Sequence, residues 1–122
     1  LIVNYLQLST IYFIVLKPLV MNNLAFYIQG NSMAPTIANG DMVICRELEP
    51  FENIEENELY AVITTTGIVM IKRVQKVKWN RNSQIRQLNL ASDNAMEAPD
   101  FQISGHNIRT LLKVEQRLPA TA

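Results

Sequence analysis

The sequence has little of what metal and redox sites are built from. Among its 122 residues there is one cysteine, Cys45, and one histidine, His106. A lone cysteine excludes an internal disulfide and a multi-cysteine zinc site. A lone histidine speaks against a histidine-rich metal centre, so neither a metal nor a cofactor is expected. Charge of one sign is missing too. Lys and Arg number 11 and Asp and Glu 11, for a net charge of zero, so the chain has no overall positive excess with which to hold nucleic acid.

An apolar run long enough for a spanning helix, about 20 residues, is also lacking. Residues 1–16 (LIVNYLQLSTIYFIVL) come nearest, but Asn4, Gln7, Ser9 and Thr10 interrupt them and Lys17-Pro18 ends them. A membrane anchor and one or two buried strands both fit. The β-branched and aromatic residues of Ile11–Val15 favour a strand, and no membrane association is expected. The basic front and small-residue cleavage site of a signal peptide are absent. The chain opens on Leu1 rather than Met, so it reads as a fragment or processed form with sequence upstream.

What remains is an ordinary globular composition, 48% hydrophobic and 18% charged, in a length suited to one domain. Residues 1–23 read as an apolar strand segment or the remnant of an upstream linker, and 24–118 as the domain. Short apolar runs recur between turn signals. Leu24–Gln29 stops at Gly30, and Met33–Ala38 holds at most one helical turn. Asn39-Gly40 is a turn and Met42–Arg46 a buried strand. Glu47–Glu58, with six of the acids and Pro50, is a solvated loop without EF-hand spacing. Leu59–Thr65 and Ile68–Val77 flank Thr66-Gly67 as a hairpin. Asn80–Asn82 turns into a strand over Gln84–Ala91, Ser92–Pro99 is loop, and Ile108–Leu118 is a last strand. The fold class is mainly β, a barrel or sandwich of short strands with little helix.

The chemistry centres on Gly30-Asn31-Ser32-Met33-Ala34-Pro35-Thr36. A serine directly after a strand, in a glycine-opened turn, lifts its hydroxyl out of the sheet beside unpaired N–H groups, as an oxyanion hole requires. Equally, Ser32 fits a simple N-cap with Pro35 in the first turn. A nucleophilic serine needs a base. His106 lies in a polar loop with only Asp100 as a nearby acid, and reads as a solvated surface residue. Lys72 alternates with Ile68 and Met70 on one strand face, where burial would disfavour its ammonium. It also fits a lysine that snorkels at a strand end.

Taken together, Gly-x-Ser-Met-x-Pro-Thr, Gly40-Asp41, Lys72-Arg73-Val74 and Ser92-Asp93-Asn94, in this order, resemble the Ser-Lys dyad peptidases. These include the LexA and phage-repressor self-cleaving domains and the type I signal peptidases. The resemblance runs from about Leu24 to Leu118. It implies Ser32 as nucleophile, Lys72 as general base, and the N–H groups of Asn31 and Ser32 as oxyanion donors. Met33 would pack beside the nucleophile, and Gly40-Asp41 and Ser92-Asp93-Asn94 would be turns framing the site.

The continuation Gln75-Lys76-Val77-Lys78 departs from the signal-peptidase pattern, and the closing segment looks more like the repressor type. That implies a cytoplasmic repressor domain that cleaves its own linker, with a final strand often used to pair two subunits. A homodimer, DNA bound only through an upstream domain, and an activating recombinase filament would be its partners. No helix-turn-helix is present, and no Ala-Gly or Cys-Gly bond offers the usual scissile site. A signal peptidase and a catalytically silent dimerisation module are the alternatives.

Other features read structurally. Lys72, Arg73, Lys76, Lys78, Arg81 and Arg86 make a basic stretch of about one hairpin; contact with nucleic acid or with an activating filament is one reading, and a solvated strand-turn-strand is the one that the zero net charge favours. Lys76 and Lys78 share the parity of Lys72, so the strand must leave the core or bulge soon after Val74. Cys45 is a small buried hydrophobe, and Trp79, at the strand end beside the turn, fits packing or an interface anchor, with packing expected.

Overall fold

A computed structural model describes residues 23–48 and 53–120. Seven strands form a single antiparallel sheet: β1 (Asn23–Tyr27), β2 (Met42–Glu47), β3 (Leu59–Thr64), β4 (Val69–Trp79), β5 (Ile85–Ala91), β6 (Phe101–Ser104) and β7 (Ile108–Leu118). A short 3-10 turn, Gly105–Asn107, joins β6 to β7. The order across the sheet is β1-β2-β7-β3-β4-β5-β6. The mainly β expectation holds, as one continuous sheet. Readings placed on residues 1–22, strand or anchor, lie outside the described residues.

The sheet is apolar on both sides, and β3 shows why. Ala61 and Ile63 join Phe26, Met33, Ile37, Val43, Cys45, Ile71 and Leu112 in one cluster. Tyr60 and Val62, of opposite parity, join Val74, Leu88, Leu90 and Ile103 in the other. A run such as LYAVIT therefore lacks polar alternation because both of its faces are covered. Cys45 is fully buried as expected, and burial pushes its thiol far above the ordinary range.

β7 lies inside the sheet. Its first half pairs with β3 through Ile108–Lys113 and its second with β2 through Leu112–Leu118. Only Leu112 and Lys113 have a neighbour on both sides, so each half of β7 is paired along one edge. β4 bulges where the lysine parity demanded it. Its register against β5 shifts between Val74 and Lys76, so Gln75 is the extra residue.

Two hairpin turns share one hydrogen-bond pattern. In the first, the Gly67 N–H donates to the Thr64 carbonyl and the Thr64 N–H to the Ile68 carbonyl. In the second, the Ser83 N–H donates to Asn80 and the Asn80 N–H to Gln84. The left-handed position is filled by Gly67 at φ 90° in one and by Ser83 at φ 64° in the other. Glycine takes that conformation without a Cβ clash and serine does not. Ile68 belongs to the first turn and is 44% exposed, so the face assigned to Ile68, Met70 and Lys72 begins only at Met70.

Candidate active site

Ser32 owes its position to the way β1 ends. The ladder with β2 runs on past Tyr27, with the Ile28 N–H donating to Asp41 and the Gly40 N–H to Ile28. Gly30 then turns the chain at φ 94°, a left-handed conformation that an L side chain would strain, and its N–H donates to Asn39 Oδ1 at 2.8 Å. A single turn follows, closed by Ala34 N–H to Asn31 and Ile37 N–H to Met33. Met33 and Ile37 plug this turn into the first apolar cluster. Ser32, one residue before the plug, is thereby held at the rim of the core.

The Ser32 hydroxyl oxygen is buried and makes no hydrogen bond among the described residues. An N-cap serine accepts a bond from an N–H of the following turn, so the simple capping role does not apply. The neighbouring carbonyls are engaged: Asn31 accepts from Ala34 N–H and from Asn94 Nδ2 at 3.0 Å, and Ser32 accepts from Asn94 N–H. The N–H groups of Asn31 and Ser32 are not donors in any backbone bond among the described residues.

Lys72 sits on β4 opposite the buried Tyr60 of β3. It is itself only 4% exposed. Burial lowers the pKa of its amine from the ordinary lysine value. Its Nζ donates to Ser92 Oγ at 2.6 Å, and Ser92 is buried as well. Lys72 and Ser32 line one open cleft of about 490 Å³ together with Gln29, Gly30, Asn31, Glu97 and Ala98. The two residues singled out by sequence therefore share a cavity, with the amine resting on Ser92 and the Ser32 hydroxyl unbonded.

The frame around them is ionic. Arg73 grips Asp93 with two bonds, Nε to Oδ1 at 2.8 Å and Nη2 to Oδ2 at 2.7 Å. Thr36 Oγ1 donates to the same carboxylate at 2.5 Å, and the Asp93 N–H points at Met33 Sδ at 3.4 Å. The Arg73 and Thr36 bonds hold the Asp93 carboxyl below its usual range. Asp93 thus ties β4 to the Ser32 turn. Asp41 ties the chain that follows the Ser32 turn to β7: it is buried, accepts from Ala38 N–H at 2.8 Å and from Ala120 N–H at 3.1 Å, and pairs with Arg117 at 2.9 Å. The Ala38 bond leads the causes that lower its pKa.

Met33 packs into the first apolar cluster, and Gly40 (φ 89°) and the buried Asp41 lead into β2. Sequence reasoning missed the Lys72–Ser92 bond and placed Glu97 in no site. It read Ser92-Asp93-Asn94 only as a turn, although three polar residues directly after an apolar strand were a signal. His106 is exposed on the 3-10 turn, as expected. Trp79 is 47% exposed and corrects the expectation that it packs: β4 carries a second register shift at Lys78/Trp79, and Trp79 belongs to neither apolar cluster although its cross-strand partner Ile85 packs on the second. Among the described residues no three His, Cys, Asp or Glu side chains gather as a metal site, and no helix is long and apolar enough to cross a membrane.

The family model Peptidase S24-like matches residues 5–114. A protein of Haemophilus influenzae named "Uncharacterized HTH-type transcriptional regulator" is 35% identical over 95 residues, which cover 78% of this chain and 36% of that protein. The chain thus spans little more than a third of this relative's length. With the Ser32 turn, the buried Lys72 and this match over most of its length, the chain belongs to the Peptidase S24-like family.

Proposed function

We propose that this chain is the self-cleaving and dimer-forming domain of a cytoplasmic transcriptional repressor, with Ser32 as nucleophile and Lys72 as base. The observation that carries it is the shared cleft, which holds a buried unbonded hydroxyl and a buried amine of lowered pKa. In the neutral form, Lys72 Nζ turns from Ser92 Oγ to Ser32 Oγ and takes its proton. Ser32 Oγ then attacks the carbonyl carbon of a linker peptide bond, and the oxyanion is received by the N–H groups of Asn31 and Ser32. The C–N bond breaks, Lys72 returns the proton to the leaving amine, and water releases the acyl group with Lys72 again as base. Because the linker is part of the same chain, proximity replaces substrate affinity.

The relative named as an HTH-type regulator supports DNA binding through an upstream domain, and with it the repressor over the signal peptidase. A second copy would pair with this domain, and a recombinase filament would trigger it. Val114–Leu118 of β7 support the dimer, because β2 pairs with them on one edge only among the described residues.

The test is linker cleavage in the full-length protein. Cleavage is expected to accelerate as pH rises toward about 10, as the deprotonation of a lysine requires. Ser32→Ala or Lys72→Ala should abolish it. An intact linker at every pH, on a domain that still dimerises, would favour the silent dimerisation module.

A further inference from the structure

We infer that the tip of the β4–β5 hairpin binds single-stranded nucleic acid, with Trp79 as a stacking platform and Arg81 and Arg86 on the phosphates. The zero net charge conceals a segregation. From Leu59 to Ser92 there is no acidic residue. Of the cations in that span, Lys72 is buried on Ser92 and Arg73 is bound to Asp93. Lys76, Arg81 and Arg86 are exposed and Lys78 half-buried along the hairpin. Among the described residues two acids flank this hairpin: Glu56, whose carboxylate accepts the Val77 N–H at 3.1 Å two residues before Trp79, and Asp100, which lines a concavity with Gln75 and Asn89. The tip itself, residues 78–86, carries Lys78, Arg81 and Arg86 and no acid.

The single tryptophan stands in this field. It is 47% exposed and lines a shallow concavity of about 580 Å³ with Asn80, Arg81, Asn82 and Arg86. A cationic groove with an exposed aromatic face is the arrangement by which single strands are held: bases stack on the ring and phosphates meet the cations. A duplex keeps its base faces stacked inside and offers the indole nothing comparable. Amide side chains beside the ring suit base edges without demanding one sequence.

Because Trp79 is the only tryptophan, its fluorescence reports this place alone. The intact chain is titrated at low salt with an oligothymidylate of about 12 nucleotides, within the usual site sizes. Saturable quenching is expected, with a log–log salt slope of about −0.7 for each phosphate neutralised. Anisotropy of labelled oligothymidylate should show Trp79→Ala weakening binding by about 5- to 150-fold. Arg81→Glu and Arg86→Glu, exposed changes checked by circular dichroism, should weaken it and flatten the slope, whereas Trp79→Phe keeps most of the affinity. Three results would overturn the inference: no quenching, equal or tighter binding of the matching duplex, or equal binding of polyglutamate, which would mark a polyanion surface only.

Discussion

The Lys72 amine donates to Ser92 Oγ at 2.6 Å, with both residues buried. A buried lysine keeps three donors to satisfy, and this bond directs one of them. On the proposed mechanism Ser92, directly after β5, is a positioning residue that holds the amine at the cleft. Ser92→Ala is expected to slow linker cleavage about 10- to 100-fold, also at alkaline pH where the amine is already neutral. Ser92→Thr, which keeps the hydroxyl, should restore most of the rate. A Ser92→Ala defect that vanishes at high pH would show that Ser92 acts on the proton and not on geometry.

Burying Lys72 costs stability, and that cost has a pH signature. The amine has a lowered pKa in the fold. Between that value and about 10.4 the unfolded chain binds more protons, so stability rises with pH across this window and levels off above it. Lys72→Met removes the ionisable group at similar volume. It is expected to gain about 0.5–2 kcal/mol at neutral pH, with the gain fading toward pH 10. Urea midpoints of both proteins across pH measure this, and an equal difference at every pH would contradict it.

The two framing carboxylates set an acid limit. Asp41 and Asp93 both have lowered pKa values in the fold. Their contribution is complete above the unfolded value of about 3.9 and is lost as pH falls below it through the folded values. Thermal melts should show the wild type losing stability below about pH 4. Asp41→Asn should flatten that loss and lower stability at pH 7 by about 1–3 kcal/mol, since the charge on Arg117 loses its buried partner.

The second hairpin contains a local conflict that can be relieved. Ser83 occupies a left-handed conformation at φ 64°. Ser83→Gly is expected to stabilise the fold by about 0.5–1 kcal/mol, which raises the Tm by a few degrees at this size. Ser83→Val should lower it. Differential calorimetry of the two variants decides the sign.

Strands were legible in this sequence wherever a covered face met a turn signal. β7 was placed over Ile108–Leu118, and the bulge at Gln75 followed from the parity of Lys72, Lys76 and Lys78. The sheet order was not legible: that β7 inserts between β2 and β3 depends on which strands meet, and local pattern is silent on long-range pairing. In the site, Ser32 and Lys72 stood out through their motifs. Their partners did not, because Ser92, Asp93 and Asn94 reach them across the fold from a loop of common polar residues. The exposure of Trp79 is not legible for a related reason: a strand pattern does not show the register shift at Lys78/Trp79 that decides which way its ring faces.

The dyad itself is tested most directly without any linker. A serine-directed fluorophosphonate is added to the domain across pH, and the modified residue is located by mass spectrometry. The account predicts labelling at Ser32, faster as pH rises, with a midpoint below the ordinary lysine value of about 10.4, and lost in Lys72→Met. Labelling of Ser32 at the same rate in Lys72→Met, or labelling of other serines with Ser32 untouched, would contradict it.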